Sequence, residues 1–227
     1  MFYGFPYDTK IIEPPTSTAL TTLDAVKAAL GPEISAKLTP ADETWITTQL
    51  IPAASGTITG YLKRQLAQAT IVDRYRLSDR REIGAVYVTL WPIVEVLEAK
   101  AGATVVPLPE LEPASRPGGG WIRRLDASAS PSSWEQECLV EIKHKSGYLL
   151  PDGLPAEIAG ACTEITKAMF FARGRDPAMR SVDMPDVGSV AFSAGVAAAG
   201  GAGNGSDGGV YSALLAPLEP YRNWAPP

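Results

Sequence analysis

The stretch Cys138–Arg173, with the sequence CLVEIKHKSGYLLPDGLPAEIAGACTEITKAMFFAR, predicts a strand, a turn and a long helix in succession. Cys138, Val140 and Ile142 alternate with mostly polar neighbours, and this period of two is typical of a half-buried strand. Several Gly and Pro residues then interrupt the pattern, and Pro155 suits the first turn of a helix. Beyond it apolar residues recur every three or four positions, so we expect one face of that helix to be buried.

The composition is that of a globular protein with a substantial core, since 45% of its 227 residues are hydrophobic. No apolar run approaches the ~20 residues of a membrane span, and the N-terminus lacks the basic and apolar regions of a signal peptide. We therefore expect a soluble protein that is made and folded in the cytoplasm. Its net charge of −5 argues against a dedicated nucleic-acid binder, which normally carries a basic stripe.

The succession of patterns predicts an α+β fold. Helices are expected over about 22–30, 40–69 and 155–173, with a β-rich insertion at about 70–145. The aromatic, proline-bearing residues 1–19 are expected to form an extended arm that folds back on its own domain or docks onto a neighbour. The prediction is a small helical bundle of about three helices, with a β-hairpin or small antiparallel sheet inserted and extended terminal arms.

The C-terminal third predicts a change from ordered domain to tether. The main domain is expected to span 20–194, and a short helix is expected within the last segment. Residues 195–209 are nearly all Gly and Ala, a composition typical of flexible linkers. Residues 210–227 combine aromatic, Leu, Arg and Pro residues, the types that anchor interfaces. We therefore predict an interaction tail over 210–227.

The long helix predicted over 40–69 contains two kinds of helix breaker. Pro52 is expected to kink or split the helix near Leu50, because proline cannot donate the backbone hydrogen bond and its ring displaces the preceding turn. Gly56 and Gly60 cost roughly 1 kcal/mol each relative to alanine. Their presence predicts close packing of this helix against another one.

The sequence contains few of the residue patterns that catalytic or metal sites require. His144 is the single histidine, and about 20 Å of strand separates it from Cys138, so the two do not form a dyad. No nucleophile-elbow motif, metal-ligand spacing or phosphate loop is present. Cys138 and Cys162 are interpreted as core residues. No catalytic residue, metal or cofactor is predicted, although a hydrolase that uses His144 stays open as an alternative of another class.

Several short motifs follow one another along the chain in a distinctive order. They are LTTLDAVKAALG at Leu20–Gly31, the helix Pro40–Ala69 ending in GYLKRQL, Trp91-Pro92-Ile93-Val94-Glu95-Val96, Gly120-Trp121, the strand Val140–His144 with Gly147, Leu154-Pro155, and the segment Leu214–Arg222. In this order they resemble the head–tail connector (adaptor) proteins of long-tailed bacteriophages and gene transfer agents. The resemblance spans roughly residues 20–222, whereas the arm at 1–19 has no counterpart in it.

The resemblance implies a structural virion protein and no enzymatic activity. Such proteins form a ring, in the virion a dodecamer, beneath the portal at the neck, where the ring extends the DNA channel. The implied partners are further copies of the chain, the portal above and a stopper or tail-completion protein below. DNA passes through the lumen without specific binding, and the ring is assembled in the host cytoplasm. The alternative among virion proteins is a neck stopper or tail-completion protein, which usually has a β-barrel body.

Two groups of residues are candidates for these contacts. We predict that the tail reaches the portal through apolar, aromatic and basic side chains, although it could instead fold back onto its own domain. The tail candidates are Tyr211, Leu214, Leu215, Tyr221, Arg222 and Trp224. The channel-facing candidates are Asp73, Asp79 and Glu82, for which a solvated outer surface is the alternative.

Overall fold

The chain divides into two compact units, each with its own core. The structure is a computed structural model that describes residues 2–77, 83–116, 119–134, 139–173, 181–184, 188–191 and 211–223. We call residues 1–18, 59–154 and 220–227 the β unit, and residues 19–58 and 155–219 the α unit.

Two five-stranded sheets form the β unit. Its strands are β1 (Phe2–Gly4), β2 (Asp8–Glu13), β3 (Ala69–Arg76), β4 (Ile83–Tyr87), β5 (Ile93–Ala101), β6 (Thr104–Val105), β7 (Leu111–Arg116), β8 (Gly119–Leu125), β9 (Pro131–Ser132) and β10 (Leu139–Ser146). The first sheet has the order β1-β4-β8-β7, with β9 also paired to β8, and the second has the order β2-β3-β10-β5-β6. All pairs are antiparallel except β1–β4.

The core of the β unit is built from residues of both sheets. It contains Tyr75, Leu77, Val86, Val88, Ala99, Ala101, Val106, Leu111, Ile122, Trp134, Val140 and Ile142. Along β10 every second residue is buried, as the alternation in the sequence predicts. Alternation therefore sets which face of this central strand contributes to the core.

Helices make up most of the α unit. They are α1 (Leu23–Leu30), α2 (Pro32–Ser35), α3 (Pro40–Trp45), α4 (Ile51–Leu62), α5 (Ala156–Phe171) and α6 (Ser212–Leu215). A two-stranded ladder, β11 (Ser181–Met184) with β12 (Gly188–Ala191), completes the unit. Its core contains Val26, Leu30, Ile46, Leu50 and Ile51, with Met169 and Phe170 packed against them. The division between the units falls within α4, at Thr59.

The helix predicted over 40–69 is shorter than expected and contains a wide turn. It runs from Pro40 to Leu62 with a π-helical segment at Ile46–Leu50, where the Ile51 N–H donates to the Ile46 carbonyl. Pro52 explains this segment, because a wider turn relieves the clash of the proline ring with the preceding turn. The helix ends because Lys63 takes a left-handed conformation (φ 52°) and the chain turns into β3.

The α+β class is confirmed, but the sheets are larger than a hairpin insertion. The sequence underestimates them because several pairings join distant segments. Residues of the N-terminal arm form β1 and β2, which pair with β4 and β3. The Gly/Ala-rich linker 195–209 lies outside the described residues. No helix in the described part of the chain combines the length and apolar character needed to cross a membrane.

Candidate interaction surfaces

A buried carboxylate ties its own strand to three other segments of the β unit. Asp73 lies on β3 and is 0% exposed. Its Oδ1 accepts hydrogen bonds from the Thr9 hydroxyl (2.7 Å) and the Thr89 hydroxyl (2.8 Å). Its Oδ2 accepts from the Thr89 N–H (2.8 Å) and lies 3.1 Å from His144 Nε2. These groups, together with the Tyr75 hydroxyl 3.4 Å from Oδ2, compensate the desolvation of one negative charge.

The cluster continues from His144 to Ser146 on the same strand. His144 Nδ1 lies 2.6 Å from Ser146 Oγ, and both residues are fully buried. Burial acts to raise the pKa of Asp73, but the hydrogen bond and charge of His144 and the donors of Thr89 and Thr9 outweigh it, so the pKa of Asp73 is lowered. Burial, together with the Asp73 charge, raises the pKa of Tyr75 well above its usual value.

This cluster contains the residue types of a catalytic triad but cannot act as one. Ser146 meets Nδ1 of His144 and Asp73 meets Nε2, the reverse of the arrangement in which the nucleophile contacts Nε2. All three side chains are also 0% exposed, so no substrate reaches them in this conformation. The arrangement therefore argues for a structural role, in which the cluster fixes β2, β3 and β10 relative to the segment after β4.

Of the three channel-facing candidates, Asp73 is corrected by the structure. The period-of-two pattern of β3 places Asp73 on the inner face with Ile71 and Tyr75, where it cannot face a channel. The expectation was wrong because an isolated charge was assigned to solvent without following the strand period. Asp79 and Glu82 lie outside the described residues, so their assignment stays a prediction.

Motifs that are far apart in the sequence converge around Trp91. The Arg64 guanidinium stacks on the Trp91 ring at 4.1 Å, and its Nη1 donates to the Trp91 carbonyl at 3.2 Å. A Cβ added to Gly120 would lie 3.0 Å from the Trp91 Cβ. The Gly147 N–H donates to the Pro92 carbonyl at 2.8 Å. The resemblance motifs at 64, 91–92, 120 and 147 therefore form one packing centre of the β unit.

Within this packing centre, Arg64 is an unusual buried cation that sequence reasoning missed. It is 7% exposed, and its Nε and Nη2 have no hydrogen-bond partner among the described residues. Burial lowers the pKa of the Arg64 guanidinium, which the Tyr148 ring also approaches at 5.7 Å. The spacing of GYLKRQL gives no signal that this arginine is internal. The burial of Arg64 becomes apparent only in the folded structure, where the rings of Trp91 and Tyr148 approach its guanidinium.

The first half of the predicted tail packs within the α unit. α6 is followed by a 3₁₀ segment, Ala216–Tyr221, in which Leu218 is fully buried. Tyr211, Leu214 and Leu215 are half-buried, and burial raises the pKa of the Tyr211 phenol. Sequence reasoning missed Leu218, which was not among the candidate anchors. The tail thus has an internal apolar anchor, as expected if it folds back.

The second half of the tail packs within the β unit. The Asn223 N–H donates to the Leu62 carbonyl at 2.9 Å, and the Arg222 guanidinium lies 5.4 Å from the Tyr61 ring centre. Tyr221 and Arg222 remain half-exposed, whereas Trp224 lies outside the described residues. Because these side chains are partly exposed, a partner could still contact them, and portal binding stays a prediction.

Other candidate sites are modest. In the β unit a cleft of about 240 Å³ is bordered by Glu13, Lys145 and Tyr148, and Glu13 accepts a hydrogen bond from Thr70 at 2.7 Å on its wall. The described residues contain no cluster of His, Cys, Asp and Glu that could hold a metal ion. Cys162 is buried, which raises the pKa of its thiol, and Cys138 lies outside the described residues. The described thiol is therefore a core residue.

Comparison with known proteins gives matches at the level of structure. Neither protein-family models nor curated proteins match the sequence. Among solved structures, a chain from the neck of an empty gene transfer agent particle, computed with C6 symmetry, matches with a TM-score of 0.53 and 14% identity over 95% of each chain. A chain from the virion of a native gene transfer agent particle matches with a TM-score of 0.52 and 16% identity, also over 95% of each chain. The chain therefore shares a fold with these chains, which confirms the resemblance at that level.

Proposed function

We propose that this chain is a structural neck protein of a phage-like particle, and that it forms a ring beneath the portal. The observation that carries the proposal is the agreement of two separate lines. The order of motifs resembles head–tail connector proteins, and the fold matches gene transfer agent chains over 95% of both lengths. The chain acts in the virion, at the junction of head and tail, after assembly in the host cytoplasm.

The ring extends the DNA channel and joins the portal above to a stopper or tail-completion protein below. Closed rings of identical subunits are the usual product of head-to-tail interfaces, and the sixfold symmetry of one similar neck is compatible with a dodecamer. We expect the isolated chain to be monomeric at micromolar concentration and to form the ring on the portal. Light scattering tests this expectation, and a stable large ring without portal contradicts it.

The proposed role is not enzymatic. The one arrangement of Ser, His and Asp in the described residues is fully buried in the β unit. The net charge of −5 suits a channel through which DNA slides, because phosphate binding requires clustered Lys and Arg. Asp79 and Glu82 are proposed to face the lumen. Replacing both with lysine should slow genome ejection, and an unchanged rate places them outside the channel.

The proposed portal contact is the half-exposed surface of the tail. Leu214 and Leu215 would fill apolar pockets, Tyr221 and Trp224 would cover the rim, and Arg222 would pair with a carboxylate. Repetition around the ring strengthens contacts that are weak singly. Because Leu218 is buried, deleting the tail would remove a packing residue together with the contact surface. Point variants are therefore the better test.

The test compares a surface variant with a packing variant. Leu214→Ser combined with Arg222→Ala is expected to abolish co-sedimentation with the portal and to lower the melting temperature less than Leu218→Ala does. Leu218→Ala is expected to lower the free energy of unfolding by about 2–4 kcal/mol and to retain portal binding well below its melting temperature. The reverse pattern, in which only Leu218→Ala loses portal binding, would contradict this role of the tail.

A neck stopper or tail-completion protein is the second candidate. The observation that favours it is the β unit, whose two sheets share one core and are larger than a hairpin insertion. The helices of the α unit favour the connector instead. The two candidates differ in their position, because a connector touches the portal directly and a stopper touches the connector. Pull-down with purified portal alone distinguishes them.

The decisive genetic experiment removes the gene that encodes this chain. Under the proposal, heads fill with DNA but leak it and carry no tails, and the wild-type chain restores tailed particles. Complementation with Asp79→Lys/Glu82→Lys separates assembly from ejection, since it should restore tails with slower ejection. Normal tailed particles in the absence of the chain would exclude the proposed role.

A further inference from the structure

The second sheet of the β unit has two edges that no described strand covers. β2 pairs with β3 on one side, and its other side pairs with no strand in the described part of the chain. At the opposite end, β6 pairs only with Lys100 and Ala101 of β5. The Ile93 N–H donates to Ser115 Oγ. Between this residue and the pairing with β6, Val94–Glu98 have no described strand partner on that side.

Both edges expose apolar side chains. Ile11 is 51% exposed and Ile12 is 41% exposed on β2. On β5, Val94 is 55% exposed and Leu97 is 37% exposed. Open edges that carry such residues invite pairing with another chain, and proteins normally protect them. Residues 106–115 pass beside β5 without adding a strand at Val94–Glu98, so the sheet has one edge without a described strand partner at each end. Two such edges on opposite sides of one sheet give a subunit two different contact surfaces, as head-to-tail assembly requires.

One basic residue on the β2 edge and one acidic residue on the β5 edge can pair with each other, whereas Asp8 already pairs with Arg74 and Glu98 with Lys100. Lys10 lies in the middle of β2 and Glu95 near the start of β5, and both are exposed. Neither forms an ion pair within the described residues. In an antiparallel register that places Lys10 opposite Glu95, Ile11 lies opposite Val94, so charge and apolar surface match together. Lys10 thus protects the edge from indiscriminate pairing and favours an acidic partner strand.

The strand directions also agree with a rotational arrangement. β2 is antiparallel to β3, β3 to β10 and β10 to β5, so β5 runs opposite to β2. One step around a many-membered ring changes strand direction little. The β2 strand of the next copy would therefore run antiparallel to β5 and continue the sheet across the subunit boundary.

We propose that the β2 edge of one copy pairs with the Val94–Glu98 edge of β5 in the next copy. The inference rests on the proposed function for the number of copies in the ring. The residues of the two edges determine which strands pair and in which register. Thr9 on β2 donates to buried Asp73, so the core of the same subunit holds this edge in place. The occupant is a second copy of this chain.

Cysteine cross-linking of the full-length chain tests the contact. Single variants Ile11→Cys and Val94→Cys are prepared in a Cys138→Ser background, which removes a competing thiol. They are mixed with a short bis-maleimide, from micromolar to millimolar concentration, both alone and on purified portal, and yields are compared in both settings. We expect a heterodimer yield at least tenfold above that of the control mixture of Ile11→Cys with Leu149→Cys, because Leu149 is 62% exposed but lies on neither edge.

A charge exchange sharpens the test. Lys10→Glu should lower the cross-linking yield several-fold, and Glu95→Lys on the partner should restore it. Equal yields in the test and control mixtures overturn the proposal. Efficient cross-linking of Ile11→Cys with itself also overturns it, since that result indicates a two-fold interface.

Failure of the edge contact and failure of the ring function are distinguishable. If the wild-type chain binds portal but the edges do not cross-link above the control, the edge proposal fails and the function stands. If the edges cross-link but the chain neither binds portal nor is needed for tails, the contact stands and the neck function fails.

Discussion

The β unit buries an ionised carboxylate, whereas the charged side chains whose burial is described in the α unit lie nearer the surface. Asp73 in the β unit is fully buried and satisfied by Thr9, Thr89 and His144. Asp42 in the α unit is partly exposed, accepts from Thr39 in a capping box, and pairs with Arg173. Hydrogen bonds and a cationic partner lower the pKa of both carboxyls, but burial opposes the shift most strongly at Asp73. A shared pKa direction therefore does not imply a shared contribution to stability.

The largest expected effect comes from Asp73→Asn. This change removes a buried charge and leaves its donors with an amide that cannot accept all of them, so we expect a loss of about 3–5 kcal/mol in the free energy of unfolding. Urea denaturation measures it. Asp42→Asn is the matched control and should cost clearly less, because water can replace the lost partner. Similar losses for the two variants would contradict the comparison.

Gly147→Ala should have the next largest effect. Gly147 has φ +102°, and an added Cβ would lie 2.8 Å from the Ala67 carbonyl oxygen, against backbone that cannot move easily. We expect destabilisation of about 2 kcal/mol or more. Thermal melts monitored by strand circular dichroism measure it. A variant as stable as the wild type would show that this junction of the β unit is loosely packed.

Acidification should destabilise the protein in part through Asp42. Hydrogen bonds from Thr39 and Arg173 lower the pKa of Asp42 from 3.8 to about 2. A lowered folded-state pKa contributes stability that is present above the unfolded value and is lost as the pH falls from about 4 to about 2. Denaturation midpoints between pH 5 and pH 2 should therefore fall less steeply for Asp42→Asn than for the wild type. Parallel curves would exclude this linkage.

The smallest effect is a gain, in Gly56→Ala. The sequence predicted that Gly56 and Gly60 pack closely against another helix, but a Cβ at either position would meet nothing within 4 Å. Gly56 is exposed in α4, so alanine should raise the free energy of unfolding by about 0.5–1 kcal/mol. The melting temperature measures the gain. A loss of stability would restore the close-packing interpretation.

The sequence predicted the elements that depend on local periodicity. Two elements follow from patterns that are visible within a short stretch of sequence, namely the alternation of β10 and the apolar stripe of α5. In α5 that stripe is buried and contains Ile158, Ala161, Cys162 and Ile165. Pro52 likewise predicted a disturbance near Leu50, and a π-helical segment lies there. The spacing of neighbouring residues was sufficient to predict these features, because each one is determined by residues within a few helical turns or one strand.

The features that the sequence failed to predict depend on long-range partners. β2 pairs with β3 about sixty residues later, so the extent of the second sheet could not be derived from a window. The burial of Asp73 could have been predicted, since it shares a strand face with Ile71 and Tyr75. The hydrogen bonds from Thr9 and His144 that offset its desolvation join distant segments and are visible only in the fold. The burial of Arg64 under Trp91 has no such signal.

We propose above all that this chain forms a ring on the portal. The most direct measurement is the native mass of the complex formed when the purified chain is added in excess to purified portal from the same particle. We predict a complex that contains a dodecamer of this chain on each portal ring. A complex with a single copy per portal, or no association with portal at all, would contradict it.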